Sequence, residues 1–142
     1  MKSLYSFEER EIKRKCWLFG NLFKRSKFLG YGSKSFIEQI MTLDLYDDLY
    51  NIDWGYDWCD ECWLLRQFEL IKPFRKGKKF LDDFELWFMG YLYKYWTSTR
   101  NVTRQEIYKI LPFDKFHRGF AFYHTQDWDF VIDDVKKYSN SF

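Results

Sequence analysis

Apolar side chains recur at intervals of three and four residues along most of this 142-residue chain, the spacing that gathers them on one face of an α-helix. Residues 6 to 28 predict a first helix, stopped by Gly30 and Gly32. Residues 35 to 50 predict a second, with Phe36, Ile37, Ile40, Met41, Leu45 and Leu49 on its apolar side. A third spans 57 to 71 and ends before Pro73 and the basic loop Arg75-Lys76-Gly77-Lys78-Lys79. The fourth, from about Phe80 to Trp96, is apolar on more than one face and so belongs at the centre of the fold. Gly90 in its middle predicts a close crossing by a neighbouring helix. Shorter helices follow over 103–111, 113–124 and 127–138, with Pro112 between the first two. No alternating strand pattern and no hairpin dipeptide interrupts the series. The expectation is one all-α domain over 1–142, a compact aromatic-rich bundle of about seven helices.

Capping chemistry sharpens the helix starts. Ser6 with Glu9, Ser35 with Glu38 and Thr103 with Glu106 each fit a capping box, in which the side chains at N-cap and N3 satisfy each other's backbone donors. Val102 and Ile107 add a hydrophobic staple around Thr103. Asp127 is a further cap, leading into Trp128, Val131, Val135 and Tyr138 at helical spacing.

Composition says what fills the core. The chain carries 16 Phe, 11 Tyr and 7 Trp against the single alanine Ala121, so rings must pack against rings. Each buried aromatic removes roughly 150–250 Å² from water, and a chain this long buries roughly 68% of the surface it exposes when unfolded. One core needs no disulfide staple. Abundant Lys, Ile, Asn, Tyr and Phe match AT-rich codons and point to a low-GC bacterium, or a phage or mobile element living in one. The opening residues contain no apolar signal segment, and Leu86 to Tyr93, the longest apolar run, is far short of the roughly 20 residues of a spanning helix. An odd cysteine count argues for reduced thiols. A cytoplasmic protein that makes no membrane contact is expected.

Charge changes the picture most. The formal net charge is only +2, yet residues 35 to 69 hold nine acids and one base, Arg66. Asp44, Asp47 and Asp48, and again Asp57, Asp60 and Glu61, repeat an i, i+3, i+4 figure that stacks three carboxylates on one face of a helix. Tyr46, Tyr50, Trp54, Tyr56 and Trp58 flank them as exposed-looking aromatics. Acids steer a protein toward a basic surface and rings supply buried contact area. Asp44, Asp47, Asp48, Trp54, Tyr56, Asp57, Asp60 and Glu61 are therefore the expected contact set for a protein partner with a basic surface, such as a nuclease or toxin. Such triads are also the ordinary outer face of a helix.

Other candidates carry less. Cys59-Asp60-Glu61-Cys62 lacks the second ligand pair of a zinc site and the βαβ context of a redox motif, so its thiols are expected to face inward. Cys16 has no evident partner. His117 and His124 come with no nucleophile elbow or oxyanion loop, and no calcium-loop motif accompanies the carboxylates. No catalytic residue, cofactor or metal is expected. Residues 103–124 have the outline of a helix-turn-helix, but Phe113, Phe116, Phe120, Phe122 and Tyr123 load its second helix with rings where a DNA reader presents polar groups. With the basic loop, Arg75, Lys76, Lys78, Lys79, Lys115 and Arg118 form an alternative, nucleic-acid-binding set whose affinity would be salt-sensitive. Further basic clusters at 10–15 and 24–27 are expected to pair across the fold with the acidic segment or to face solvent.

The stretches Trp87-Phe88-Met89-Gly90-Tyr91-Leu92-Tyr93-Lys94-Tyr95-Trp96, Glu106-Ile107-Tyr108-Lys109-Ile110-Leu111-Pro112 and Tyr123-His124-Thr125 resemble a group of small uncharacterised proteins of low-GC Gram-positive bacteria and their mobile elements, over 87–135 and, more faintly, 36–70. The resemblance implies an accessory gene product with an antitoxin-like or anti-defence (anti-CRISPR-like) role, and carries over no functional residue. Together with the acidic segment it gives the expected function: a non-enzymatic inhibitor or accessory protein that acts by binding another protein.

Overall fold

The computed structural model of the protein describes residues 6–51 and 60–139. Among these it is all-helical: α1 (Phe7–Phe28), α2 (Ser33–Thr42), a 3₁₀ turn (Asp44–Tyr46), α3 (Asp47–Tyr50), α4 (Glu61–Ile71), α5 (Asp83–Thr99), α6 (Arg104–Ile110), α7 (Phe113–Tyr123) and α8 (Trp128–Ser139). No helix of the described residues is long and apolar enough to cross a membrane.

The expected caps explain several boundaries. Ser6 Oγ accepts the Glu9 N–H at 3.1 Å, and Thr103 and Glu106 form the full reciprocal box at the start of α6. The α1 terminus closes in a Schellman arrangement, with Gly30 N–H on Lys27 O at 2.9 Å and Tyr31 N–H on Ser26 O at 3.0 Å. That closure needs a positive φ, and Gly30 supplies it at 81°.

α5 is the central helix, buried along most of its length from Glu85 to Trp96, and α1 crosses directly over it. A Cβ on Gly90 would strike the Phe19 carbonyl and stand 2.8 Å from Phe23 Cγ. The expected close crossing is therefore made by α1. Around it Phe19, Phe23, Phe36, Tyr46, Tyr50, Phe68, Tyr93, Trp96 and Phe116 form one ring-packed core, with tilted or edge contacts such as Phe23–Phe36 at 5.5 Å and Tyr46–Phe68 at 4.9 Å.

Two expectations fail here for physical reasons. The helix foreseen over 35–50 starts earlier and breaks. It starts at Ser33 because Ser33 N–H bonds Lys79 O and Ser33 Oγ accepts the Leu81 N–H at 3.0 Å, so Ser35 lies inside α2 rather than capping it. It ends at Thr42 because the guanidinium of Arg104 takes the Ile40 and Leu43 carbonyls, and Leu43 turns extended. The break rotates Tyr46 and Tyr50 into the core and leaves Leu45 66% exposed, the reverse of what an unbroken helix would do. α5 likewise begins three residues later than expected, at the Asp82 cap whose Oδ1 accepts the Glu85 N–H at 2.8 Å.

Candidate functional site

The acidic contact set is not one helix face. Asp44 belongs to the 3₁₀ turn and Asp47 and Asp48 open α3, so the first triad does not ride a continuous helix. Asp47 is turned to the Arg104 guanidinium, and Gln105 Nε2 donates to both Asp44 and Asp47 at 3.1 Å. Those two bonds, Arg104 first, hold the Asp47 carboxyl below the ordinary carboxylate range. In the second triad Asp60 is the N-cap of α4, accepting the Trp63 N–H at 2.8 Å. Asp60 and Glu61 line a cleft with Lys13 and Arg14 of α1, and Glu61 lines a second with Lys24 and Lys27. The two acidic groups thus face different neighbours, α6 and α1. Trp54, Tyr56, Asp57, Trp58 and Cys59 lie outside the described residues. Cys62 is exposed rather than turned inward, while Cys16 is buried and its thiol pushed up to about 12 by desolvation.

Of the basic set, Arg75, Lys78 and Lys79 are exposed. Lys76 donates to the Leu29 carbonyl at the end of α1 and sits 5.0 Å from the Tyr31 ring. An isolated antiparallel bridge, Tyr31 to Lys76, stitches this loop to the α1–α2 turn. Lys115 reaches the Ile110 carbonyl at the end of α6 at 3.2 Å, and Arg118 is exposed on α7. The fold does bring Lys79 near α7: with Lys34, Asp114, His117 and Glu85 it lines a cleft of about 470 Å³.

Three buried charges escaped the sequence reading. Arg104 is the first residue of α6 and passes beneath α2 and α3, its guanidinium carbon 5.3 Å from the Tyr50 ring. Lys94, on α5, donates to the Tyr50 carbonyl, with its ammonium 4.4 Å from the Tyr50 ring and 4.6 Å from that of Phe19. Glu85 lies buried at the foot of α5, its Oε2 2.7 Å from His117 Nδ1. Burial raises its carboxyl above the ordinary value, and the imidazole only partly offsets that. Helical periodicity put Lys94 within the apolar faces of α5, which was the one signal available; for Arg104 and Glu85 the cause is tertiary.

The surface that joins exposed rings to carboxylates lies on α7 and α8. Phe122 and Phe130 are 49% and 46% exposed and meet edge to face, with centroids 6.2 Å apart. Asp134, beside Tyr123, raises that hydroxyl together with burial, which is the larger cause. Phe130, Asp134 and Tyr138 recur at helical spacing along one side of α8, and Asp127 stands just before its first turn in the same register. Neither Asp127 nor Asp134 forms an ion pair among the described residues, whereas Asp129 and Asp133 are both held by Arg100, at 3.2 and 3.1 Å. No cluster of three or more His, Cys, Asp or Glu able to hold a metal occurs among the described residues. No protein-family model, curated protein or solved structure matches the chain.

Proposed function

We propose that this is a non-enzymatic binding protein, an inhibitor or accessory factor of antitoxin-like or anti-defence type, that docks onto the basic surface of another protein. The observation that supports this reading is the exposed Phe122–Phe130 pair, with Asp127 and Asp134 at helical spacing from Phe130. Rings of this size left in solvent next to unpaired carboxylates give a partner both buried contact area and electrostatic complementarity. The acidic chemistry expected at 44–61 is kept, but its best-placed carrier is the α7–α8 surface. Asp44, Asp48, Asp60 and Glu61 remain candidate contacts of the same kind. Asp47 is the exception, since Arg104 already holds it.

A comparative capture tests this. Wild type, an F122A/F130A/D134K variant and a D44K/D48K/E61K variant are immobilised and exposed to lysate of the source cells. The reading expects a basic protein that wild type retains, that the α7–α8 variant loses and that rising salt releases. Identical retention by wild type and the α7–α8 variant contradicts the assignment. Loss only in the D44K/D48K/E61K variant moves the contact back to the acidic segment.

The convergence of Lys79 on α7 favours a second reading, nucleic-acid binding by the basic loop and the 103–124 helix pair. Asp82 and Asp114 share that cleft and oppose it. A gel shift at two salt concentrations separates the readings: retardation that weakens steeply with salt supports the second, and none supports the first.

A further inference from the structure

α1 and α4 lie side by side, and their outer sides frame a cleft of about 650 Å³. Its walls are largely apolar: Leu29, the residue that closes α1, and Trp63 and Leu70 on α4, with the buried Leu65 at its base. Leu70 is 74% exposed, and Phe28, which lines the adjoining cleft at the end of α1, is 76% exposed. Large apolar side chains left this open in adjoining clefts between α1 and α4 mark a contact surface.

The charges in the groove are of one usable sign. Arg25 stands on the α1 wall and Arg66 on the α4 wall. Arg25 lies with its guanidinium carbon 4.6 Å from the Phe28 ring, and Arg66 is exposed; neither makes an ion pair among the described residues. The groove's single carboxylate, Glu69, accepts the Tyr31 hydroxyl and so is already engaged. Two guanidiniums lining one largely apolar groove suit carboxylates carried on an apolar segment, because arginine binds carboxylate in a planar, two-bond geometry even at partly desolvated sites.

The geometry points to a second docking surface: the α1–α4 groove receives an amphipathic helical segment of a partner protein that lays apolar side chains along Leu29, Trp63 and Leu70 and offers carboxylates to Arg25 and Arg66. The surface is separate from α7–α8, and its chemistry is the opposite one. The chain would then bridge a basic and an acidic partner surface, or grip one partner at two places.

Cys62 lines the groove and is exposed, so its reaction with a maleimide, read at that residue by tandem mass spectrometry, reports occupancy. The probes are two synthetic amphipathic helices with identical leucine stripes, one bearing glutamates and the other lysines. The glutamate helix is expected to slow labelling of Cys62 several-fold and the lysine helix to leave it unchanged. In R25E/R66E the preference should invert, and in R25Q/R66Q it should vanish, with circular dichroism confirming that both variants stay helical. Equal protection by both helices, protection by neither, or a preference untouched by these substitutions overturns the proposal. So does protection that grows with the protein's own concentration without peptide, which would make a second copy the occupant. Because F122A/F130A/D134K leaves the groove intact, its effect on capture and the peptide result fail independently.

Discussion

Arg104 is where one side chain decides the course of the backbone around it. It bonds two carbonyls at the end of α2 and the Asp47 carboxylate at the start of α3, so its loss leaves several buried polar groups short of a partner. Bonds to a charged group contribute about 1.5–3 kcal/mol each before compensation, so Arg104→Met should cost on the order of 3 kcal/mol. Urea denaturation measures this, and an unchanged midpoint would show that the turn forms without the clamp. Glu85 works in the other direction. Its carboxyl titrates higher in the folded protein than in the unfolded chain, so its contribution is fully present below the ordinary carboxylate range and is lost as pH rises through the folded value. Glu85→Gln removes that cost while still able to accept from His117. It should therefore melt above wild type at neutral pH, with the gap closing as the solution is acidified. A gap that widens toward acid would mean that the ion pair with His117 outweighs burial.

At the scale of helices, the α1–α5 crossing carries the fold. Gly90→Ala would push a methyl group against the Phe19 carbonyl. Overpacking of this kind typically costs 1–3 kcal/mol, and here the obstructing atoms are partly backbone, which cannot rotate away. Thermal melting should show the loss, and a wild-type melting point would mean that the helices can part at little cost. This crossing was legible in the sequence because a glycine inside an apolar helix has few other uses. So were the helices themselves, the central place of α5 and the Thr103 box, since local periodicity and capping determine them. What was not legible came from residues distant in the chain: the break after Thr42 depends on Arg104, and the early start of α2 depends on Lys79 and Leu81. The error in the candidate site has the same origin. Asp44, Asp47 and Asp48 have helix-face spacing, but the backbone there leaves the α-helix, and Tyr46 and Tyr50 go inward in place of Leu45. The acids at α8 were not singled out as contacts because Asp127, Asp129, Asp133 and Asp134 look alike in sequence; only the position of Arg100 separates the two that it holds from the two that it does not.

Over the molecule as a whole, a near-neutral chain resolves into patches of distinct sign. Part of the acidic segment lines shared clefts with α1's own lysines and arginines. Two surfaces keep chemistry of their own: the acidic, ring-bearing side of α7 and α8, and the arginine-flanked groove between α1 and α4. Under the proposed function, the ring-packed core is the scaffold that carries both surfaces. The most direct test replaces Phe130, Tyr138 or Leu45 singly with p-benzoylphenylalanine and irradiates cells that express each variant. Adducts to one and the same basic protein from Phe130 and Tyr138, with none from the more accessible Leu45, are the expected result. Adducts from Leu45 alone, or none from either α8 position, would contradict docking through α7 and α8.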